Sequence, residues 1–328
     1  MRMIAGDIGG THARLAVCEV IHSAPRIIHK KVYPSRISSS MEEILLDYVR
    51  EIGPQQVAAI ALGLPCPLVE QRCRATNLPW IVSAETITRA LNATPCVLIN
   101  DLEALAWSIP LLDQQSLLTL HPGSGQAVSN AMVIAAGTGL GQAGLFWDGT
   151  DYQPFATEGG HCDFAPGDEL DIELLRHLKR VHDHVSWERI ISGPGLVTLF
   201  KFHCEHQKRG QPAWFVQALA EDRAAAAISE HAEHDADPLC VATLEHFIRL
   251  FGAEAGNQAL KMKATGGVYI GGGMAPKLIK WMRGPQFRDS FVDKGRMRPL
   301  LEQIPIHLIS SDDSALLGAA RCYLERVF

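Results

Sequence analysis

Two glycine tips of one design, about 130 residues apart, constrain this 328-residue chain more than any other feature. Residues 3–21 read as two strands joined at a glycine turn, MIAGDIGG and then ARLAVCEVI, with Leu15 and Val17 alternating against Ala16 and Cys18. Residues 131–149 repeat the pattern as AMVIAAGTGLG followed by QAGLFWDG. A strand, a polar glycine tip and a second strand, used twice, imply a duplicated β-hairpin and a chain built in two related halves.

Between the tips, helix-like and strand-like segments alternate. MEEILLDYVREI at 41–52 has helical spacing, VAAIAL at 57–62 reads as a strand, and a helix is expected from Ala84 to Leu91. PCVLIND then runs as a strand into a helix beginning near Leu102. This succession predicts an α/β domain with a mixed sheet. After the second tip the chain turns mainly helical at 168–182, 212–222 and 237–262, before the strand GGVYIGGG, the strand IHLIS at 306–310 and a closing helix capped by Asp312 or Asp313. The closing strand and helix can return to the first half. The expected division is a small α/β domain of residues 1–110 plus 309–328 and a larger, helix-rich α/β domain of residues 111–308, with a cleft between them.

Composition excludes several function classes. A net charge of −6 provides no basic stripe for a phosphate backbone, so nucleic acid is not an expected partner. No apolar stretch reaches the roughly 20 residues of a membrane span, and the N-terminus enters a strand without the pattern of a signal peptide. The eight cysteines are scattered with no C-x-x-C pair, which fits reduced thiols and a cytoplasmic location. His182 with His184, His203 with His206 and His231 with His234 lack further ligands at metal spacing and read as solvated faces.

Gly6, Asp7, Ile8, Gly9, Gly10 and Thr11 offer successive backbone N–H groups without bulk, which suits close approach of a phosphate chain. Thr11 can add a hydroxyl, and Asp7 can hold the water shell of Mg²⁺, an ion that keeps several waters and takes few carboxylates. A plain hairpin with a capping Asp is the alternative. Gly137 and Thr138 open a second loop of the same kind, able to clamp a triphosphate from the other side. Gly271, Gly272 and Gly273 end a strand and suit a flat adenine or ribose laid on bare backbone. The P-loop pattern is absent. Gly139, Gly141 and Gly144 do spell the dinucleotide fingerprint, yet LFWDG follows as a strand where a nicotinamide-dependent dehydrogenase needs a helix N-terminus.

Asn100 and Asp101 stand where a strand enters a helix, a position at which α/β sheets present chemistry. Asp101 can act there as a general base or as the helix N-cap. Glu158 and His161 flank two glycines, and Glu188 follows in HVSWERIISGPG. A sugar presents hydroxyls that donate and accept, so carboxylates, an amide and an imidazole form a fitting set; loop and surface roles are the alternative.

GDIGGTHARLAV, INDLEALAW, AAGTGLGQAGL, EGGHCDFAP, ERIISGPGL and GGVYIGGG, in that order along nearly the whole chain, resemble the bacterial glucokinase family. The resemblance implies a two-domain actin-like (ribonuclease H-like) sugar kinase fold and phosphorylation of glucose by ATP with Mg²⁺. It implies Asp101 as catalytic base; Asn100, Asp101, Glu158, His161 and Glu188 as sugar ligands; the loop from Gly6 to Thr11 with Gly137 and Thr138 as phosphate loops; and Gly271 to Gly273 on the adenosine side. It also implies a homodimer. The related repressor and sugar-kinase group has a Cys-dense zinc motif after its Glu-x-Gly-His segment, where this chain has only Cys162, so the zinc-free branch is the better match. Glucose is the expected substrate, with mannose, fructose or an amino sugar, and ADP or polyphosphate as donor, left open. A non-catalytic sugar sensor is the second reading.

Overall fold

The structure is a computed structural model and describes residues 1–22, 24–53, 57–74, 80–124 and 128–327. Two compact units divide the chain: Met1–Leu118 with Ala143–Ala156 and Ile309–Phe328, and Thr119–Gln142 with Thr157–Leu308.

The first unit is organised by β1 (Arg2–Ile8), β2 (His12–Ile21), β3 (Ala24–Pro34), β4 (Ala59–Leu64), the short ribbon of β5 (Arg72–Arg74) and β6 (Ile81–Ser83), and β7 (Cys96–Asn100). Its main sheet has the order β3-β2-β1-β4-β7, with β1 antiparallel to β2 and parallel to β4, which is parallel to β7. The alternation in β2 sorts side chains to two cores rather than to core and solvent. Leu15 and Val17 join Ile4, Ile8 and the helix Met41–Ile52 on one face, while Ala16 and Cys18 join Met3, Ala5 and the closing helix Ser314–Val327 on the other. Both faces are covered, so the strand is apolar on both, as strands in helix-covered sheets are.

The second sheet is built from β8 (Leu117–His121), β9 (Ala131–Ala136), β10 (Leu140–Trp147), β11 (Tyr152–Thr157), β12 (Gly267–Gly271) and β13 (Ile306–Ile309), in the order β11-β10-β9-β12-β13-β8. Strand β12 runs parallel to both β9 and β13. Gly144 lies inside β10, and β11 is the next element; no helix opens there, which removes the dehydrogenase reading. The helix Pro238–Met262 forms the spine of the helical part, with Phe247, Phe251, Ala255 and Ala259 buried.

Several sequence expectations need correction. The helix Gly193–His206 runs where Gly-Pro-Gly reads as a loop, and the helix Ala224–His234 adds an element to the three helical stretches expected after the second tip. The signal was present: Ser192 caps the first of them through Oγ, which accepts from Gly195 N–H at 3.0 Å, and Pro194 sits in the first turn, where its missing N–H costs nothing. Cys66 and Cys73 are disulfide-bonded, with Cα atoms 6.2 Å apart, so not every thiol is reduced; the turn after β4 folds the chain back and brings the two together. His203 is not on a solvated face. It is 4% exposed, and its Nε2 lies 3.1 Å from Nδ1 of His246. Among the described residues no helix is long and apolar enough to cross a membrane.

Candidate active site

In the first unit, Asn100 ends β7 and Asp101 opens the helix Asp101–Ser108. Asn100, not Asp101, is the N-cap: its Oδ1 accepts from the N–H groups of Leu102 at 3.0 Å and Glu103 at 3.2 Å. Asp101, one residue further into the helix, makes a different contact, with its Oδ1 accepting from Leu102 N–H at 2.9 Å. Two first-turn N–H groups are thereby satisfied, and the Asp101 carboxylate is held by its own helix.

The glycine tip between β1 and β2 belongs to the same unit. Gly9 N–H donates to the His12 carbonyl at 2.8 Å, and Ser35 ties the tip down, its N–H donating to Thr11 O at 2.9 Å and its Oγ to Gly9 O at 2.8 Å. Asp7 pairs with Arg14 across the register of the hairpin at 2.8 Å.

In the second unit the residues expected to hold a sugar come together. Glu158, Gly159, Gly160 and His161 form a tight 3₁₀ turn. An antiparallel bridge between Asp163 and Ser186, with Phe164 N–H on Val185 O and Trp187 N–H on Cys162 O, lays residues 185–187 along the segment after that turn. Buried Trp187 packs edge-on against Phe164, and the next residue, Glu188, reaches the turn. His161 Nε2 lies 3.8 Å from Glu158 Oε2, and His161 Nδ1 lies 3.9 Å from Glu188 Oε1. Two carboxylates thus flank one imidazole, beyond direct hydrogen-bond length, a spacing that hydroxyl groups can bridge.

The second glycine tip adjoins this group. Glu188 Oε2 accepts from Leu140 N–H at 3.0 Å, and Gly193 N–H donates to Gly137 O at 2.8 Å. A Cβ on Gly139 would overlap the Glu188 carboxylate, so a side chain there displaces the acid from the loop. The third glycine run meets the same loop from β12: Gly272 has φ +86° and packs against the Ala136 backbone, immediately before Gly137. Gly137, Thr138 and Gly271 to Gly273 are therefore neighbours in one unit.

A buried cluster lies apart from these groups. Asp171 is 1% exposed, and its carboxylate accepts from His246 Nε2 at 2.8 Å, Gly167 N–H at 2.9 Å and Arg249. Burial alone would raise the Asp171 pKa, but the donors from His246, Arg249 and Gly167 outweigh it and hold the carboxyl well below its usual range. Burial and the neighbouring His246 and His206 push His203 down to about 4. Sequence reading missed Asp171, His246 and Arg249, because the last two sit one turn apart on a helix and Asp171 lies 75 positions before His246, a separation no periodicity spans.

A family model described as Glucokinase matches residues 4–326. The chain belongs to the glucokinase family. Its glucokinase relative from Trichormus variabilis is 37% identical over 335 residues, covering 98% of each chain. A glucokinase crystal structure from an Antarctic psychrotroph is 29% identical, covers 99% of both chains and superposes with a TM-score of 0.85. A ROK family glucokinase from Streptomyces griseus, solved with glucose and AMPPNP, is 21% identical with a TM-score of 0.65 and shares the fold. Membership in the glucokinase family accounts for the two-domain actin-like architecture and makes the chain an enzyme, a glucokinase-type sugar kinase.

Proposed function

We propose that this chain phosphorylates glucose on its 6-hydroxyl with ATP, Asp101 being the base and Asn100, Glu158, His161 and Glu188 the sugar ligands. The observation that carries the reading is the gathering of Glu158 and Glu188 around the His161 imidazole, in a chain that presents Asn100 and Asp101 where a strand enters a helix.

Phosphoryl transfer asks little covalent chemistry of a protein, so positioning and charge neutralisation carry most of the rate. The sugar oxygen attacks the γ-phosphorus, the bond from phosphorus to the leaving oxygen of ADP breaks, and the hydroxyl proton passes to the Asp101 carboxylate. N–H groups of the Gly6–Thr11 and Gly137–Thr138 tips, other than those of Gly9 and Gly137, which donate to His12 O and Gly139 O, stabilise the phosphate charge, with Gly271 to Gly273 along the adenosine. Asp7 is a single carboxylate paired with Arg14, a donor set suited to magnesium held through water rather than caged by protein. Bound there, Mg²⁺ would neutralise charge between the phosphates. Closure of domains 1–110 plus 309–328 and 111–308, hinged near 107–112 and 306–311, would exclude water as a competing nucleophile. A cytoplasmic homodimer completes the reading, supported by the family resemblance and checked by sedimentation.

The test is ADP release from Mg-ATP with glucose, with mannose, fructose and N-acetylglucosamine alongside, for the intact chain and Asp101→Ala. The substitution should lower kcat by about 10²-fold or more, as expected for loss of a general base. It should leave folding intact, because Asn100 Oδ1 still accepts from Leu102 N–H. Binding of glucose without turnover in the intact chain would favour the sensor reading instead.

A further inference from the structure

Beneath the Glu158–His161 turn lies a carboxylate that no reading of the sugar site uses. Glu254, on the helix Pro238–Met262, is 0% exposed. It accepts three amide donors: Gln142 Nε2 at 2.9 Å, Gln258 Nε2 at 2.8 Å and Asn257 Nδ2 at 3.1 Å. Gln142 and Gln258 are themselves 2% and 3% exposed, and both reach the underside of the turn. A Cβ on Gly159 would overlap Gln142 Oε1 and come within 3.1 Å of Gln258 Nε2. A chain of bonds runs the same way: Thr157 Oγ1 donates to Gln142 O at 3.0 Å and accepts from Gly159 N–H at 3.3 Å.

The orientation of Gln142 follows from the charge. A carboxylate only accepts, so Gln142 must turn its NH₂ toward Glu254 and its carbonyl oxygen toward Gly159. That oxygen is buried and has no hydrogen-bond partner among the described residues. An unpaired buried carbonyl costs free energy, so something must hold the amide in this sense. The charge-assisted bond to Glu254 does so.

We propose that Glu254 is a positioning residue for sugar binding, fixing the amides of Gln142 and Gln258 as the floor on which Glu158 and His161 are set. The proposal rests on the sugar-binding reading of that turn. Removing the acceptor frees Gln142 to rotate, the floor loses its shape, and glucose affinity falls while the nucleotide loops are untouched.

The test measures KM for glucose, KM for ATP and kcat in Glu254→Leu, Glu254→Gln, Gln258→Met and Glu158→Gln, each checked for folding by circular dichroism. Glu254→Leu should raise KM for glucose about tenfold or more, the scale of losing a buried charge-assisted bond, with KM for ATP within about twofold. Glu254→Gln should stay within about threefold of the parent, because its amide oxygen still accepts from Gln142 and Gln258 and Asn257 can turn over. If Glu254→Leu does not fold, Gln258→Met is read by the same criteria with an expected rise of about threefold to tenfold. Unchanged glucose KM in a folded Leu variant, with Glu158→Gln raising it, overturns the positioning role and leaves the sugar site standing. Equal rises in both KM values indicate general loosening and also overturn it. Unchanged glucose KM in Glu158→Gln removes the sugar reading and this inference with it.

Discussion

The glycine tip at 6–11 and the tip at 137–141 share a sequence design and differ in what holds them. The first is held by short-range and neighbouring backbone: Gly9 on His12, with Ser35 returning from the end of β3. The second also closes on itself, with Gly137 N–H on Gly139 O, and adds support from residues 188–193, about 50 positions further along the chain, through the Glu188 carboxylate on Leu140 N–H and Gly193 N–H on Gly137 O. A duplicated hairpin can thus keep its backbone while its partners diverge. In the second copy the support is also a proposed sugar ligand, so the proposed nucleotide loop and sugar pocket would share one carboxylate.

The largest effect that could break this contrast is expected from Gly139→Ala. Its methyl overlaps the Glu188 carboxylate and would displace the loop or the acid, so kcat/KM should fall about 10²-fold, the scale of an ångström-level misplacement. Little change would mean that Glu188 does not set the loop. Glu188→Gln separates the two duties. Its amide oxygen can still accept from Leu140 N–H, so the loop should hold, while loss of the charge beside His161 should raise KM for glucose about tenfold. An equal rise in KM for ATP would show that the loop depends on the charge itself.

Acid should sharpen the contrast between buried-charge and backbone support. The folded pKa of His203, near 4, lies below the ordinary value of 6.5, so the unfolded chain binds the extra proton first. Stability contributed by His203 is present above about pH 6.5 and is lost as pH falls toward 4, with Asp171 adding a loss below the ordinary Asp range. A thermal midpoint that drops by several degrees between pH 6.5 and 4, and drops less in His203→Phe, is the expected record. In the first tip, Arg14→Ala removes the partly exposed partner of Asp7 and should raise KM for ATP only about twofold to fivefold. The smallest effect belongs to Gly137→Ala: its Cβ meets nothing within 4 Å, and stability should stay within about 0.5 kcal/mol of the parent.

Much of this molecule is written in local pattern. The glycine tips, the strand running into Asn100 and Asp101, the helix at 41–52 and the strand after Gly144 follow from hydrophobic period and turn chemistry, which act over a few residues. The candidate site residues are legible for the same reason, since each sits in a glycine-flanked or strand-end string. Asn100 rather than Asp101 is the cap because the chain leaves its extended conformation at Asn100, which puts the Asn100 amide oxygen over the first-turn N–H groups; that is a choice of one residue which the local pattern leaves open. Other features depended on partners distant in sequence. Only the folded chain could bring Cys66 to Cys73, bury His203 beside His246 and Asp171, or set Glu254 under Gly159 through Gln142. Those contacts join elements up to 112 positions apart, and no periodicity encodes which side chains meet at that separation. Composition and pattern determined the strands, the tips and the chemistry-bearing residue types; packing between distant elements decided which polar groups are buried, what they pair with and which turn they support.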